Sequence, residues 1–321
     1  MSSPPQVSIV IPVFNGAAFL TETLRAVQSQ RHSNWELIVV DDASTDDSLA
    51  VVARSGVPAQ VVSQANAGVS SARNRGLAAS TGTFVTFLDQ DDVWHPLHLE
   101  RQLSCFDAQE ELGAVVSPYQ HWYPDAGVYP SAAAALGPET EVALDPNFTG
   151  WVFHQFLLDC WALTSATLIR RETLQLHGAF DETQDYGEDW ELWLRLSQVV
   201  KFAKLNWPPV LYRQHKVQGS RVARGADHRC ELLLAAAARH GLASRDGRCL
   251  SAQQFDRTIA RYEMDFGYHQ LQNGRRAKAL RSLFKAWRRQ PHQWRYLALT
   301  LAACLGWRPA KATIAPTQPR P

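Results

Sequence analysis

Several scarcities narrow the possibilities before any motif is considered. The five cysteines among 321 residues (Cys105, Cys160, Cys230, Cys249 and Cys304) are scattered and odd in number. None stands in CxxC spacing, so neither a disulfide framework nor a zinc site is expected, and a reducing cytosol suits them. No apolar run approaches the roughly 20 residues of a membrane helix. WVFHQFLLDCWAL (151–163) is broken by His154 and Asp159, and YLALTLAACLGW (296–307) is too short. The N-terminal MSSPPQ lacks a basic region and an apolar core, so no secretory leader is expected. A cytoplasmic protein is the resulting expectation. The turn after the first strand, PVFNG, has one glycine and no GxGxxG, which removes the main support for a nicotinamide-dependent oxidoreductase.

The composition is that of a globular chain, 45% hydrophobic and 20% charged, with a net charge of +1. That balance hides an asymmetry. From Ala223 onward there are 18 Lys and Arg against 6 Asp and Glu, whereas the first 222 residues hold 14 against 25. Two domains are expected, an acidic body over 1–222 and a basic helical extension over 223–321. The acidic body argues against nucleic acid as its partner.

The body alternates strand and helix patterns. VSIVIPVF (7–14) is a β-branched run of buried-strand type, and AAFLTETLRAVQSQ after it sets Phe19, Leu20, Leu24 and Val27 on one helical face. WELIVVDDAS, AQVVSQ and TFVTFLD read as further strands, with helices over DDSLAVVAR and GVSSARNRGLAAS between them. This order predicts an α/β fold, a mostly parallel sheet sandwiched by helices, with ligands beyond the carboxyl ends of the strands. Asn15, Asp41, Asp42, Asp89 and Asp91 fall at those ends. Region 117–160 shows no readable periodicity and reads as a loop that orders on binding. In the extension, SAQQFDRTIARYEMDFGYHQLQNG opens on a Ser251/Gln254 capping box, and DHRCELLLAAAARHG ends on Gly241. RRAKALRSLFKAWRRQ (275–290) places Ala277, Leu280, Leu283, Phe284 and Trp287 on one arc of a cationic helix. Two roles fit that helix, contact with an anionic membrane surface or docking on the acidic body.

VSIVIPVFNG, VVDDASTDDS, NAGVSSARNRGLAASTGTFVTFLDQDD, FDE and EDWELWLRL occur in this order over residues 7–221. The set resembles family 2 glycosyltransferases, inverting enzymes of the Rossmann-like GT-A fold that use nucleotide-sugar donors. The resemblance implies that Pro12, Val13 and Asn15 touch the nucleotide and that Asp42 accepts from a uracil N–H. It implies that Arg73 meets base or phosphate oxygens, that Asp89 faces the ribose or reaches the metal through water, and that Gln90 binds the nucleotide sugar. Asp89-x-Asp91 is then the D-x-D motif, with Asp91 holding Mn2+ or Mg2+ together with substrate phosphates, as hard oxygen ligands do. In the VLYRQHKVQGS stretch, His215 completes the metal site, with Arg213 or Lys216 beside phosphate. Asp189 is the implied general base, removing a proton from a hydroxyl of a glycan or lipid-linked acceptor. Its neighbour Glu188 pushes its pKa up while a helix N-terminus pushes it down. Asp92 reads as the cap of a helix starting near Trp94–Pro96, and Ser44 or Asp46 as the cap of the helix after the second strand. A non-catalytic sugar-nucleotide-binding relative is the alternative, distinguished by whether the D-x-D and the base survive, and both do.

Overall fold

The first strand, β1 (Val7–Val13), is buried at every position, as a β-branched run between two neighbouring strands should be. Each fully buried Val or Ile there contributes about 1.5–3 kcal/mol. It pairs in parallel with β2 (Trp35–Asp41) along its whole length and with β4 (Phe84–Phe87) only as far as Val10. Pro12, an unusual residue for a central strand, is explained by that register. The Val10 carbonyl accepts from Leu88 N–H on the β4 side. Pro12 faces the same side two residues later, beyond the last pair, where no donor is required. Strand β3 (Gln60–Ser63) extends the sheet from β2.

The computed structural model describes residues 6–138, 142–184, 186–216, 218, 225–307 and 309. They fall into two units, Met1–His215 and Lys216–Pro321. The boundary expected between residues 222 and 223 lies outside the described residues.

In the first unit the remaining strands are β5 (Val93–Trp94), β6 (Leu112–Val116), β7 (Tyr119–Trp122), β8 (Thr167–Arg170), β9 (Lys201–Lys204) and β10 (Val210–Arg213). The large sheet runs β3-β2-β1-β4-β8-β6-β9, parallel except for β8, and a small sheet runs β5-β10-β7. Helices α1 (Leu20–Gln28), α2 (Ser48–Arg54), α3 (Val69–Ala79) and α4 (His98–Ala108) follow the alternation read from the sequence. The expected mostly parallel α/β sheet with helices is therefore what the chain forms. Neither Ser44 nor Asp46 caps α2 in the ordinary way: Asp47 is the cap residue, and Asp46 instead accepts from the backbone of Ala17 and Ser48.

Region 117–160 departs from expectation. It holds β7, α5 (Ala132–Leu136, capped by Ser131), a short turn of helix at Pro146–Phe148 and α6 (Phe153–Phe156). The pieces are too short to show periodicity, and β7 gains its ladder from β10, which lies about ninety residues later in the chain. Helices α7 (Arg171–His177) and α8 (Glu188–Leu196) complete the unit. Trp190 and Trp193 of α8 are core residues, their indole N–H groups donating to the carbonyls of Phe156 and Ala162.

The second unit contains α9 (His228–His240), α10 (Ala252–Gln272), α11 (Arg276–Arg289) and α12 (Trp294–Cys304). The Ser251/Gln254 capping box forms as read, and Gly241 adopts the positive φ that ends α9. The buried strip of α11, however, is Ala279, Ser282, Leu283 and Ala286 rather than the expected arc. Ala277 and Phe284 face outward, Phe284 at 46% exposure. Small side chains decide this: they let α11 approach α10, where Leu283 reaches so close to Gly267 that a Cβ there would sit 2.7 Å from Leu283 Cγ. Among the described residues, no helix is long and apolar enough to cross a membrane.

Candidate active site

Because β1, β2 and β4 are parallel neighbours, their carboxyl ends share one edge of the sheet. The loops that follow are tied together by side chains. Asn15, at φ 51°, donates its backbone N–H to Ser44 Oγ, and its Oδ1 accepts from Thr45 N–H. Asp42 is buried, and its carboxylate accepts from Gln64 Nε2 and from the backbone N–H groups of Ala67 and Gly68. Its expected partner, a nucleobase N–H, would join an acceptor already shaping the 64–68 turn. Pro12 and Val13 lie buried at the end of β1.

Gln90, the middle residue of the D-x-D, pairs with one backbone unit: Phe14 N–H donates to its Oε1 and its Nε2 donates to the Phe14 carbonyl. Gly16 makes room for this pair, since a Cβ there would lie 2.2 Å from Gln90 Oε1. Gly16→Ala is expected to displace Gln90 and lower stability by about 1–2 kcal/mol, which thermal melting checks.

The three acids of FLDQDDVW have separate partners. Asp91 Oδ2 and His215 Nε2 are 2.6 Å apart, and the imidazole packs against the Phe19 ring. Asp89 takes a 2.7 Å ion pair from Arg73 and its backbone N–H donates to Ser165 Oγ. Burial and the charge of Asp91 nevertheless raise the Asp89 pKa against the pull of Arg73. Asp92 is not a helix cap. It is fully buried and accepts from Arg213 N–H, while α4 begins at His98 without a side-chain cap. Burial, then Asp91 and Asp89, push its pKa well above the ordinary carboxyl value. Arg213 is likewise committed away from a phosphate. Its guanidinium donates to Glu22 and to the Asp91 carbonyl and is enclosed by Trp122, Tyr129 and Phe19.

Asp189 lies in the first turn of α8, aimed there by Gly187, whose left-handed φ of 79° only glycine adopts without strain. Burial and Glu188 outweigh Arg73, and the Asp189 pKa is pushed up to about 7. The opposing influences named from the sequence thus resolve upward, with burial the largest. Arg73, only 4% exposed, is the hub: it pairs with Asp89 at 2.7 Å and with Glu188 at 2.9 Å. The D-x-D loop and the start of α8 are thereby joined through one guanidinium. Glu188 was read only as a repulsive neighbour of Asp189, and its pairing with Arg73 has no local sequence signal, because the partners are 115 residues apart.

Among the described residues, no group of three or more His, Cys, Asp and Glu is arranged to hold a metal ion. Asp91 and His215 still fit the expected cation, since such sites take one or two protein ligands and complete the sphere with substrate phosphates and water. The His215 Nε2 that meets Asp91 is the nitrogen available to a cation, and its Nδ1 is buried without a hydrogen-bond partner.

Residues 8–156 match the sequence profile described as Glycosyl transferase family 2. A putative teichuronic acid biosynthesis glycosyltransferase, TuaG, of Bacillus subtilis is 39% identical over 103 residues, covering 31% of this chain and 41% of that protein. The chain spans between 17% and 59% of the length of eight curated relatives that it matches. The structure of Staphylococcus aureus TarS in complex with UDP-GlcNAc superposes with a TM-score of 0.58 at 17% identity, over 94% of this chain and 87% of that one. A Pyrobaculum calidifontis mannosyltransferase, PcManGT, in complex with GDP-Man and Mn2+ superposes with a TM-score of 0.52 at 18% identity, over 95% and 81%. The fold is GT-A, and through residues 8–156 the chain is similar to glycosyl transferase family 2.

Proposed function

We propose that the protein is an inverting glycosyltransferase, moving a sugar from a nucleotide-sugar donor, a UDP-sugar by preference, to a hydroxyl of a glycan or lipid-linked acceptor in cell-surface polysaccharide synthesis. The observation that carries this reading is the guanidinium of Arg73 linking the D-x-D acid Asp89 to Glu188, next to a carboxylate, Asp189, with a pKa near 7. A base operates best when its pKa lies close to the working pH.

In the proposed step, Asp189 takes the proton of the acceptor hydroxyl as that oxygen attacks the anomeric carbon. The bond from that carbon to the diphosphate oxygen breaks on the opposite face, and the nucleoside diphosphate leaves with the electron pair. Asp42, Asn15, Gln90 and the end of β1 hold the nucleotide. Arg73 keeps Asp89 placed toward the ribose. Asp91 and His215 would hold Mn2+ or Mg2+, which supplies positive charge for the departing diphosphate. A nucleotide-sugar screen with Mn2+ tests the reading. Asp91→Ala is expected to lower nucleotide release at least about 100-fold, and chelation to do the same to the wild type, with added Mn2+ restoring only the latter. Equal release by Asp91→Ala and wild type would remove the metal assignment.

Peripheral membrane contact is supported by the second unit taken alone. Arg281, Lys285 and Arg288 are exposed on α11. Trp294, Leu297 and Leu301 are exposed on α12 and Leu305 just past its end; cations together with exposed apolar residues suit an anionic interface. Wild type is expected to sediment with phosphatidylglycerol vesicles and not with phosphatidylcholine vesicles. A variant reversing Arg281, Lys285 and Arg288 to Glu stays in the supernatant, and equal pelleting would contradict the contact.

A further inference from the structure

The small sheet carries an aromatic surface that the donor chemistry does not use. Side chains alternate along a strand, so Tyr119 and His121 share one face of β7, Tyr123 follows just past its end, and the register sets Tyr212 of β10 opposite His121. The ring centroids of Tyr119, His121 and Tyr212 form a nearly equilateral triangle, with separations of 5.5, 5.5 and 5.6 Å, and Tyr123 lies 6.0 Å from His121. On the opposite face Trp122, Leu211 and Arg213 are buried. Tyr119, Tyr123 and Tyr212 stay half-buried and His121 is exposed. A strand with one buried face ordinarily turns small polar residues outward. Four adjoining rings there, one exposed and three half-buried, instead leave a partly open aromatic surface of the kind that binds ligands.

Its position gives the surface a use. Strand β10 ends at Arg213, two residues before His215, which meets Asp91. Strand β5, on the other side of β10, continues directly from Asp91 and Asp92. The rings therefore sit on the small sheet whose strands lead to the expected metal ligands, a place from which an acceptor can approach.

We infer that Tyr119, His121, Tyr123 and Tyr212 form an acceptor platform that takes a pyranose ring by its apolar C–H face, so that the acceptor hydroxyl belongs to a sugar residue. The assignment rests on the glycosyl-transfer reading. Aromatic faces cover the ring carbons, while the phenol and imidazole edges offer donors and acceptors to the ring hydroxyls. That combination selects a glycan end over a bare lipid hydroxyl or a peptide serine, neither of which presents a flat apolar ring.

The test pairs two readouts on wild type and a His121→Ala/Tyr212→Ala variant, which leaves the donor residues intact. Saturation-transfer NMR uses methyl β-glucoside, methyl β-galactoside and methyl N-acetyl-β-glucosaminide as fragments, and calorimetry follows UDP binding with Mn2+. At least one glycoside is expected to take saturation on its C–H protons from wild type and to bind about tenfold more weakly to the variant, with UDP binding and melting temperature unchanged. Equal glycoside binding by both proteins, or none by a wild type that binds UDP, would overturn the platform. A wild type that binds glycoside but not UDP would instead overturn the donor reading and leave the platform standing.

Discussion

Asp189→Asn is expected to slow sugar transfer by about 100- to 10,000-fold, the usual contribution of a positioned general base, without unfolding the protein. The stability argument separates the two effects. In the folded protein the Asp189 carboxyl titrates near 7, above its ordinary 3.8. A carboxyl with a raised folded-state pKa makes folding less favourable as pH rises through that window, because the folded state prefers the protonated form. Asparagine carries no charge to desolvate beside Glu188. The variant should therefore melt no lower than wild type at pH 8, while its turnover collapses. A low rate accompanied by a lowered melting temperature would mean that Asp189 acts structurally.

Arg73→Met is expected to have the largest effect on stability, about 3–5 kcal/mol, the cost of leaving buried charges without their partner. Asp89 and Glu188 would then face each other and Asp189 with no intervening cation. Arg73 lowers the pKa of both Asp89 and Asp189, so its loss raises both. The folded variant would bind protons more tightly than its unfolded chain, and its melting deficit should be larger at pH 8 than at pH 5. Whatever activity survives should have its acidic limb displaced to higher pH. Arg73→Lys, which keeps the charge and loses the fork, should recover part of the stability. A uniform deficit across pH would contradict the hub role.

How much of this was legible in the sequence depends on how local the cause is. The strands of the first ninety residues are continuous β-branched or apolar runs, buried by their immediate neighbours, and their alternation with helices led directly to the parallel sheet and its acidic edge. The capping box at Ser251 and Gln254 is equally local. The role of Asp92 was not, since its partner Arg213 comes 121 residues later and a buried acceptor looks the same in sequence as a helix cap. The resemblance offers Arg213 or Lys216 beside phosphate, whereas the enclosure of Arg213 by Phe19, Trp122 and Tyr129 comes from residues far away in the chain. Region 117–160 showed no periodicity, because its elements are short and the partner of β7, β10, lies about ninety residues later in the chain. In α11 the error was one of weighting: the largest apolar residues suggested the inner face, while close approach to Gly267 favoured the small ones.

The most direct test of the account is the pH dependence of kcat/KM for nucleotide release, measured in parallel on wild type and Asp189→Asn with Mn2+ and the best donor from the screen. Wild type should rise with unit slope to a plateau, with an apparent pKa near 7, and the variant should show a residual rate without that limb. A variant that keeps the wild-type rate and the same limb would contradict the assignment of Asp189 as the base.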